Sequence, residues 1–130
     1  MLSFEQVQEA LTKFADDLPW AIYKELNGGI VLLPDVMPHP ESVNNDFYIL
    51  GQYHCEPQRF GRYITIYYGS FCLVHGGLSD DAQRKKLKEL LHHELTHHLE
   101  HLAGDRALEV RDAVDLERYQ RRHRGANPQA

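Results

Sequence analysis

The sequence predicts an α+β domain in which a small mixed or antiparallel sheet packs beside a long helix, with further helices at the N- and C-terminal ends. Apolar residues recur at helical spacing in the first and last parts of the chain, and runs rich in β-branched and aromatic residues occupy the middle. The histidine-rich stretch HHELTHHLE, residues 92–100, falls inside the later helical region. With 130 residues, 42% of them hydrophobic, the chain has room for one core. We therefore expect a single domain over residues 1–124 and a flexible tail over 125–130.

The N-terminal part is predicted to be helical. Ser3 and Gln6 match a capping box, and apolar residues at helical spacing continue to about Asp17. A second, shorter helical piece is expected over residues 20–26, because an Asn-Gly-Gly sequence follows it. Trp20 is interpreted as a core residue of this scaffold.

The middle of the chain is predicted to supply the sheet. The run GIVLLP has the composition of a short strand, and residues 35–46 are expected to form a loop in which His39 is a surface side chain. Two runs, FYILGQYHC from Phe47 and RYITIYYGSFCLV from Arg62, are expected to pair as antiparallel strands, with Cys72 buried in the second. One face of so small a sheet should pack on helices.

The later helical region is predicted to form two helices. Ser79 caps the first, whose acidic opening suits the helix dipole, and Gly104 ends it. The second helix is expected to begin near Asp105 and end near Arg122. The first carries a broad apolar face made of Leu87, Leu90, Leu91, Leu95, Leu99 and Leu102.

A metal site is predicted on the side of this helix that faces away from the leucines. His93 and His97 stand four residues apart, so their imidazoles project from one face and can hold one tetrahedral ion between them. Glu94 is rotated by about 100° from His93, where it can reach a metal-bound water without ligating the ion. One zinc ion is expected, although such ligands also accept manganese or nickel. The HExxH spacing thus predicts hydrolysis with Glu94 as the general base.

Catalytic zinc usually takes a third protein ligand, which we expect after the turn at Gly104. The helix climbs roughly 10 Å from His97 to Gly104, and an extended return of about 3.3 Å per residue favours Glu109. The alternatives left open, for a helical return or an early unwinding of the helix, are Asp112, Asp115 and Asp105. The other polar residues of the stretch are expected at the surface or beside the site without ligating the ion: His92, His98, Glu100 and His101.

Composition argues against several classes of partner. The net charge of −5 and the sequence pI near 5.9 argue against nucleic acid, since no basic stripe dominates. The one basic cluster is interpreted as a charged helix end: Arg118, Arg121, Arg122 and Arg124. The sequence contains no run of about 20 apolar residues, so no membrane span is expected, and the opening residues lack the features of a secretory signal. A cytoplasmic protein with Cys55 and Cys72 reduced is therefore expected.

In these features the sequence resembles the minimal zincin family, small single-domain zinc-dependent metallopeptidases of bacteria. The resemblance covers most of the chain and is carried by LGQYHCEPQRFG, ITIYYGSF and HELTHH. It implies a zincin-like fold, with the sheet beside the active-site helix, and a peptidase-like site. In that family the helix usually breaks at a glycine three residues after the second histidine, and an acidic ligand follows three residues later. Glu100 and Ala103 occupy these positions here, so the resemblance matches the HExxH residues and leaves the third ligand open.

The expected function is hydrolysis of a peptide or protein substrate, with His93, His97 and Glu109 holding Zn²⁺. The strand Ile64–Phe71 is expected to offer its edge to an extended peptide. Candidate oxyanion donors, for which aromatic packing is the favoured interpretation, are Tyr67, Tyr68 and His75. A non-catalytic zinc-binding or partner-binding module built on a zincin-like fold is the alternative.

Overall fold

The computed structural model describes the backbone of residues 1–44, 46–59 and 61–124, and the side chains of these residues up to residue 104. The chain divides into two units, Met1–His98 and Leu99–Ala130. The single domain expected over residues 1–124 stays a prediction.

Helix α1, Phe4–Asp16, begins at the predicted capping box. The Gln6 N–H donates to Ser3 Oγ at 3.1 Å, and the Ser3 N–H donates to Gln6 Oε1 at 2.9 Å. Two backbone donors that a helix start would leave unpaired are thereby satisfied. The helix buries its apolar face through Val7, Ala10 and Leu11.

The second helical piece is shorter than predicted. It is a single 3₁₀ turn, Trp20–Tyr23, and Glu25, at φ 63°, turns the chain out of it. The expectation that Trp20 lies in the core is wrong, because its side chain is 82% exposed. One turn is too short to present a buried face, and this one is held by Tyr23, whose hydroxyl donates to the Ala15 carbonyl at 2.6 Å.

Five strands follow in chain order: β1 Gly29–Leu33, β2 Met37–Pro38, β3 Tyr48–Ile49, β4 Gly51–Glu56 and β5 Gly61–Tyr67. Three of them form a mixed sheet in the order β1-β5-β4, in which β5 is parallel to β1 and antiparallel to β4. The α+β class, the small mixed sheet and the antiparallel pairing of the two middle runs are confirmed. The expectation that Ile64–Phe71 offers a free edge is wrong, because β5 is paired on both sides.

Strands β2 and β3 form a short antiparallel ribbon, although residues 35–46 were expected to be loop throughout. The ribbon continues past its last strand pair, because the His39 N–H donates to the Phe47 carbonyl at 2.8 Å. Two-residue strands carry no alternation that sequence could show, so their pairing depends on tertiary context.

Residues 68–75 form helix α2, Tyr68–His75, where a continuation of the strand was expected. The strand prediction for this run is wrong, and Cys72 is a half-buried helix residue. The run is largely apolar, and apolar content alone does not distinguish a buried strand from a buried helix. Only Val74 among these residues is β-branched, which is a weak signal for a strand. The helix packs tightly on the chain before β2, where a Cβ on Gly69 would stand 2.7 Å from the Asp35 carbonyl oxygen.

Helix α3, Asp80–Arg124, begins at the predicted cap, where the Ala82 N–H donates to Ser79 Oγ at 3.2 Å. It continues through Gly104, so the expected break there and the separate last helix are wrong. A glycine in a helix interior costs only about 1 kcal/mol relative to alanine, which good helix formers on both sides can offset. Among the described residues, no helix combines the length and the apolarity that crossing a membrane requires.

The hydrophobic core of the first unit lies between one face of the sheet and the helices. Strand β5 contributes Ile64 and Ile66, both fully buried, and α2 contributes Phe71. Helix α3 contributes the predicted leucines Leu87, Leu91 and Leu95. Because α3 buries this flank, its opposite flank is left to face a groove beside β4.

Candidate metal centre

The two histidines predicted as metal ligands converge on the exposed flank of α3. The Nε2 atoms of His93 and His97 lie 3.0 Å apart, and their ring centroids lie 4.6 Å apart. The helix brings them together because residues four apart are neighbours on its surface. Nitrogens bound tetrahedrally to one zinc ion, at about 2.0–2.1 Å each, stand about 3.3 Å apart. The observed spacing therefore fits a shared ion closely.

These histidines open into a groove of about 430 Å³. The residues that line the groove come from α3, from β3 and β4, and from the chain after β2: His39, Ile49, Gly51, Gln52, Tyr53, His54, His93, Glu94 and His97. Strand β4 lies at the edge of the three-stranded sheet formed by the described residues, so the groove runs beside an edge strand. The sheet thus brings residues from the middle of the chain to the helix.

Glu94 lines the same groove, and the residue is only 6% exposed. Burial raises the pKa of Glu94 above its usual value. The nearby imidazoles of His97, His93 and His54 act in the opposite direction but do not cancel this effect. The close approach of β4 produces this burial. A Cβ on Gly51 would stand 3.3 Å from Glu94 Cγ, a tight contact that the glycine avoids.

His54, which the sequence analysis did not select, lies on β4 and lines both this groove and a second hollow on the face of the sheet that points away from the core. Its Nε2 lies 2.9 Å from Thr65 Oγ1, and its ring stacks on Tyr63 at a centroid distance of 4.5 Å. Both contacts are made across the β4–β5 pair, where His54 is opposite Tyr63. The predicted pairing of these two runs could have placed His54 opposite Tyr63 but not relative to the helix.

His39 was predicted to be an isolated surface residue, but it is half-buried and lines the groove. The Glu41 N–H donates to its Nδ1 at 3.1 Å, and its ring packs edge-on against Phe47 with centroids 4.4 Å apart. Nothing in the local sequence indicates this position, because it follows from the β2–β3 ribbon.

His98 was expected to solvate the helix, and this prediction is wrong because the residue is fully buried. Its Nε2 lies 2.9 Å from the Lys24 carbonyl oxygen and its Nδ1 lies 2.8 Å from the Tyr53 hydroxyl. His92, on the other hand, is exposed as expected. The difference is their position on the helix, since His98 shares the buried flank with the leucines.

The third ligand stays a prediction. Within the described residues, no group of three His, Cys, Asp or Glu side chains is arranged to hold a metal ion. The side chains of Glu109 and of its alternatives Asp105, Asp112 and Asp115 lie outside the described residues. Among the described side chains, His93 and His97 are therefore the candidate metal ligands.

The candidate oxyanion donors named from the sequence lie elsewhere. The Tyr68 hydroxyl donates to the Leu2 carbonyl at 2.6 Å, and the Tyr67 hydroxyl donates to Gln52 Oε1 at 2.7 Å. Tyr67 lines a second hollow, on the face of the sheet that points away from the core. The ring of His75 packs against Phe71, with centroids 5.2 Å apart.

No protein-family model and no curated protein matches the chain. Among solved structures, the chain is similar to a conserved hypothetical protein from Thermo thermophilus, with 30% sequence identity and a TM-score of 0.67. The match covers 79% of this chain and 99% of that one.

Proposed function

The chain belongs to the same family as the conserved hypothetical protein from Thermo thermophilus, and from the geometry of its groove we propose that it is a zinc-dependent metallopeptidase with a zincin-like fold. The observation that carries the proposal is the convergence of the His93 and His97 Nε2 atoms, 3.0 Å apart, beside the Glu94 carboxyl group. Two imidazoles and a neighbouring carboxylate are the groups that metal-assisted hydrolysis needs.

In this proposal His93 and His97 hold the zinc ion, and Glu109 is the third ligand that we expect. A bound zinc ion would lower the pKa of a coordinated water toward about 7 and polarise the substrate carbonyl. The wide mouth of the groove supports an open coordination position that a substrate could reach.

Glu94 acts as the general base. It accepts a proton from the water whose oxygen attacks the carbonyl carbon of the scissile amide. It then passes that proton to the amide nitrogen as the C–N bond breaks, which gives a carboxylic acid and an amine. Glu94 is buried and lines the groove together with the histidine pair, which supports this role.

Strand β4 is the surface on which an extended peptide would bind. It is an edge strand, and four of its residues line the groove beside the histidines: Gly51, Gln52, Tyr53 and His54. The free backbone groups of an edge strand pair with an added strand, which gives affinity for a peptide of many sequences. This role replaces the one expected for β5, which is central in the sheet.

The test compares the zinc-loaded wild-type protein with Glu94→Gln on a library of internally quenched fluorogenic peptides. We expect Glu94→Gln to bind one zinc ion per chain and to lose at least about 10²-fold in kcat, because proton transfer by a positioned base contributes about 10²–10⁴-fold. The matched control is Glu89→Gln, an exposed residue of the same helix, which should keep full activity.

Two results would overturn the proposal. Wild-type turnover that persists in Glu94→Gln would remove Glu94 from the chemistry. A zinc-loaded wild-type protein that cleaves no library peptide, and whose ion has four protein ligands by X-ray absorption, would instead establish the non-catalytic zinc-binding module.

A further inference from the structure

His39 lies in the groove with the histidine pair and has no part in the proposed chemistry so far. The chain around it is well fixed. Its own N–H donates to the Phe47 carbonyl at 2.8 Å, and its carbonyl accepts the Ser42 N–H at 2.9 Å. Two residues earlier, the Met37 N–H donates to the buried hydroxyl of Ser70 at 2.8 Å. The position of the imidazole is therefore set by the ribbon and by α2.

The hydrogen bond from Glu41 assigns the tautomer of this ring. Because the Glu41 N–H donates to Nδ1 at 3.1 Å, Nδ1 presents a lone pair. A neutral imidazole carries one hydrogen, which must then be on Nε2. His39 is thus a hydrogen-bond donor through Nε2, and the structure shows no acceptor for that hydrogen among the described residues.

The same hydrogen bond argues against a role as metal ligand. A histidine that ligates through one ring nitrogen normally carries its hydrogen on the other and donates it to a carbonyl or carboxylate. In His39 the second nitrogen already accepts, so ligation through Nε2 would require an imidazolate. The absence of a three-residue metal cluster among the described side chains agrees with this.

Several other polar atoms of the groove lining already have hydrogen-bond partners. The Tyr53 hydroxyl lies 2.8 Å from His98 Nδ1, and His54 Nε2 lies 2.9 Å from Thr65 Oγ1. Gln52 is turned toward Tyr67, whose hydroxyl it accepts at 2.7 Å. His39 lines the groove, and its Nε2 hydrogen has no acceptor among the described residues.

We propose that His39 donates its Nε2 hydrogen to the carbonyl oxygen of the peptide bond being cleaved, and that this bond strengthens as the oxygen becomes negatively charged. The inference rests on the proposed function and adds to it a residue that contacts the substrate. A fixed donor aimed at a developing oxyanion lowers the barrier because it needs no reorganisation during the reaction.

The first arm of the test requires no substrate. Long-range nitrogen–proton NMR spectra of the wild-type protein report which ring nitrogen of His39 carries the hydrogen. We expect the neutral ring to carry it on Nε2, with and without zinc. A neutral ring with its hydrogen on Nδ1, or coordination of zinc by His39, would overturn the proposal.

The second arm compares zinc-loaded His39→Ala with wild type and with His92→Ala, an exposed histidine of α3 outside the groove lining. We expect His39→Ala to bind zinc with unchanged affinity, to lose about 10²–10³-fold in kcat and to keep nearly the same KM, which is the effect of losing one oxyanion donor. His92→Ala should match wild type in all three quantities.

The outcomes separate this inference from the proposed function. If wild type cleaves peptides, Glu94→Gln does not, and His39→Ala is as active as wild type, the inference alone fails. If His39→Ala loses zinc, His39 is a ligand and the inference is overturned. If zinc-loaded wild type cleaves no peptide, the proposed function fails and the inference fails with it.

Discussion

The Tyr53 hydroxyl and His98 Nδ1 lie 2.8 Å apart, and this contact joins the groove wall to the buried side of α3. On the other side of the ring, His98 Nε2 lies 2.9 Å from the Lys24 carbonyl oxygen, which can only accept. A neutral His98 therefore donates to Lys24 and accepts from Tyr53, so both ring nitrogens are satisfied. The hydrogen bond between His98 and Lys24 also stabilises the turn at the next residue, Glu25, where the backbone has φ 63°.

From this arrangement we expect His98→Ala to lower the free energy of unfolding by about 2–4 kcal/mol. The substitution leaves a cavity at a fully buried position and removes two part-buried hydrogen bonds, and large-to-small substitutions in a core cost about 2–5 kcal/mol. Urea denaturation followed by circular dichroism measures the change. His92→Ala, at an exposed position of the same helix, should stay within about 0.5 kcal/mol of wild type. An equal loss in both variants would contradict this interpretation of His98.

The third ligand can be identified from zinc affinity. If Glu109 ligates the ion, Glu109→Gln should weaken zinc binding by at least about 10–100-fold, since even residues that merely support a ligand contribute that much. Asp112→Asn should bind zinc as wild type does. Competition with a fluorescent chelator gives both affinities. A loss in Asp112→Asn with none in Glu109→Gln would move the ligand to the later residue.

Helix α2 and the chain before β2 are packed so closely that Gly69 cannot carry a side chain. A Cβ there would stand 2.7 Å from both the Asp35 carbonyl oxygen and Val36 Cγ2. We expect Gly69→Ala to destabilise the protein by about 1–3 kcal/mol, because backbone must move to make room. Gly77→Ala is the control, since nothing lies within 4 Å of its added Cβ. Thermal unfolding should separate the two variants, and equal melting temperatures would refute the expectation.

The pH dependence of stability should include a contribution from His75. Burial lowers the pKa of His75 from its usual 6.5, the Lys86 charge lowers it further, and Glu89 acts in the opposite direction. Because the folded pKa lies below the unfolded one, the unfolded chain binds the proton more readily, and stability falls as pH drops through this range. An NMR titration should place the midpoint below 6.5. The variant His75→Gln should lose less stability than wild type when the pH is lowered from neutral to mildly acidic. A titration midpoint above 6.5 would mean that protonation of His75 stabilises the fold, which would contradict the expectation.

Local sequence signals predicted those parts of the fold that local interactions determine. The capping box at Ser3, the cap at Ser79 and the strand pair around His54 each follow from residues close together in the chain. The His93–His97 pair is of the same kind, since four residues of helix suffice to bring the rings together.

The predictions that failed depended on packing between distant segments. The run after Tyr67 folds as α2 because Gly69 and Ser70 fit against the chain before β2, which no local pattern of apolar residues indicates. His39 and His98 are both predicted at the surface, but His39 is half-buried because of strands too short to recognise, and His98 is fully buried because of contacts with residues far away in sequence. A single glycine, Gly104, was given more weight as a helix terminator than its propensity justifies.

Because Gly51 has no side chain, β4 can lie close to its neighbours, and this position leaves little room for a larger residue. Alanine there would meet Ile66 Cδ1 and Leu90 Cδ1, both at 3.2 Å, as well as the base of the Glu94 side chain. These side chains would have to shift by a few tenths of an ångström, so a library designed to change what the groove accepts should vary other positions first. Diversity belongs at Gln52, which is partly accessible beside it, with side chains that can still accept the Tyr67 hydroxyl.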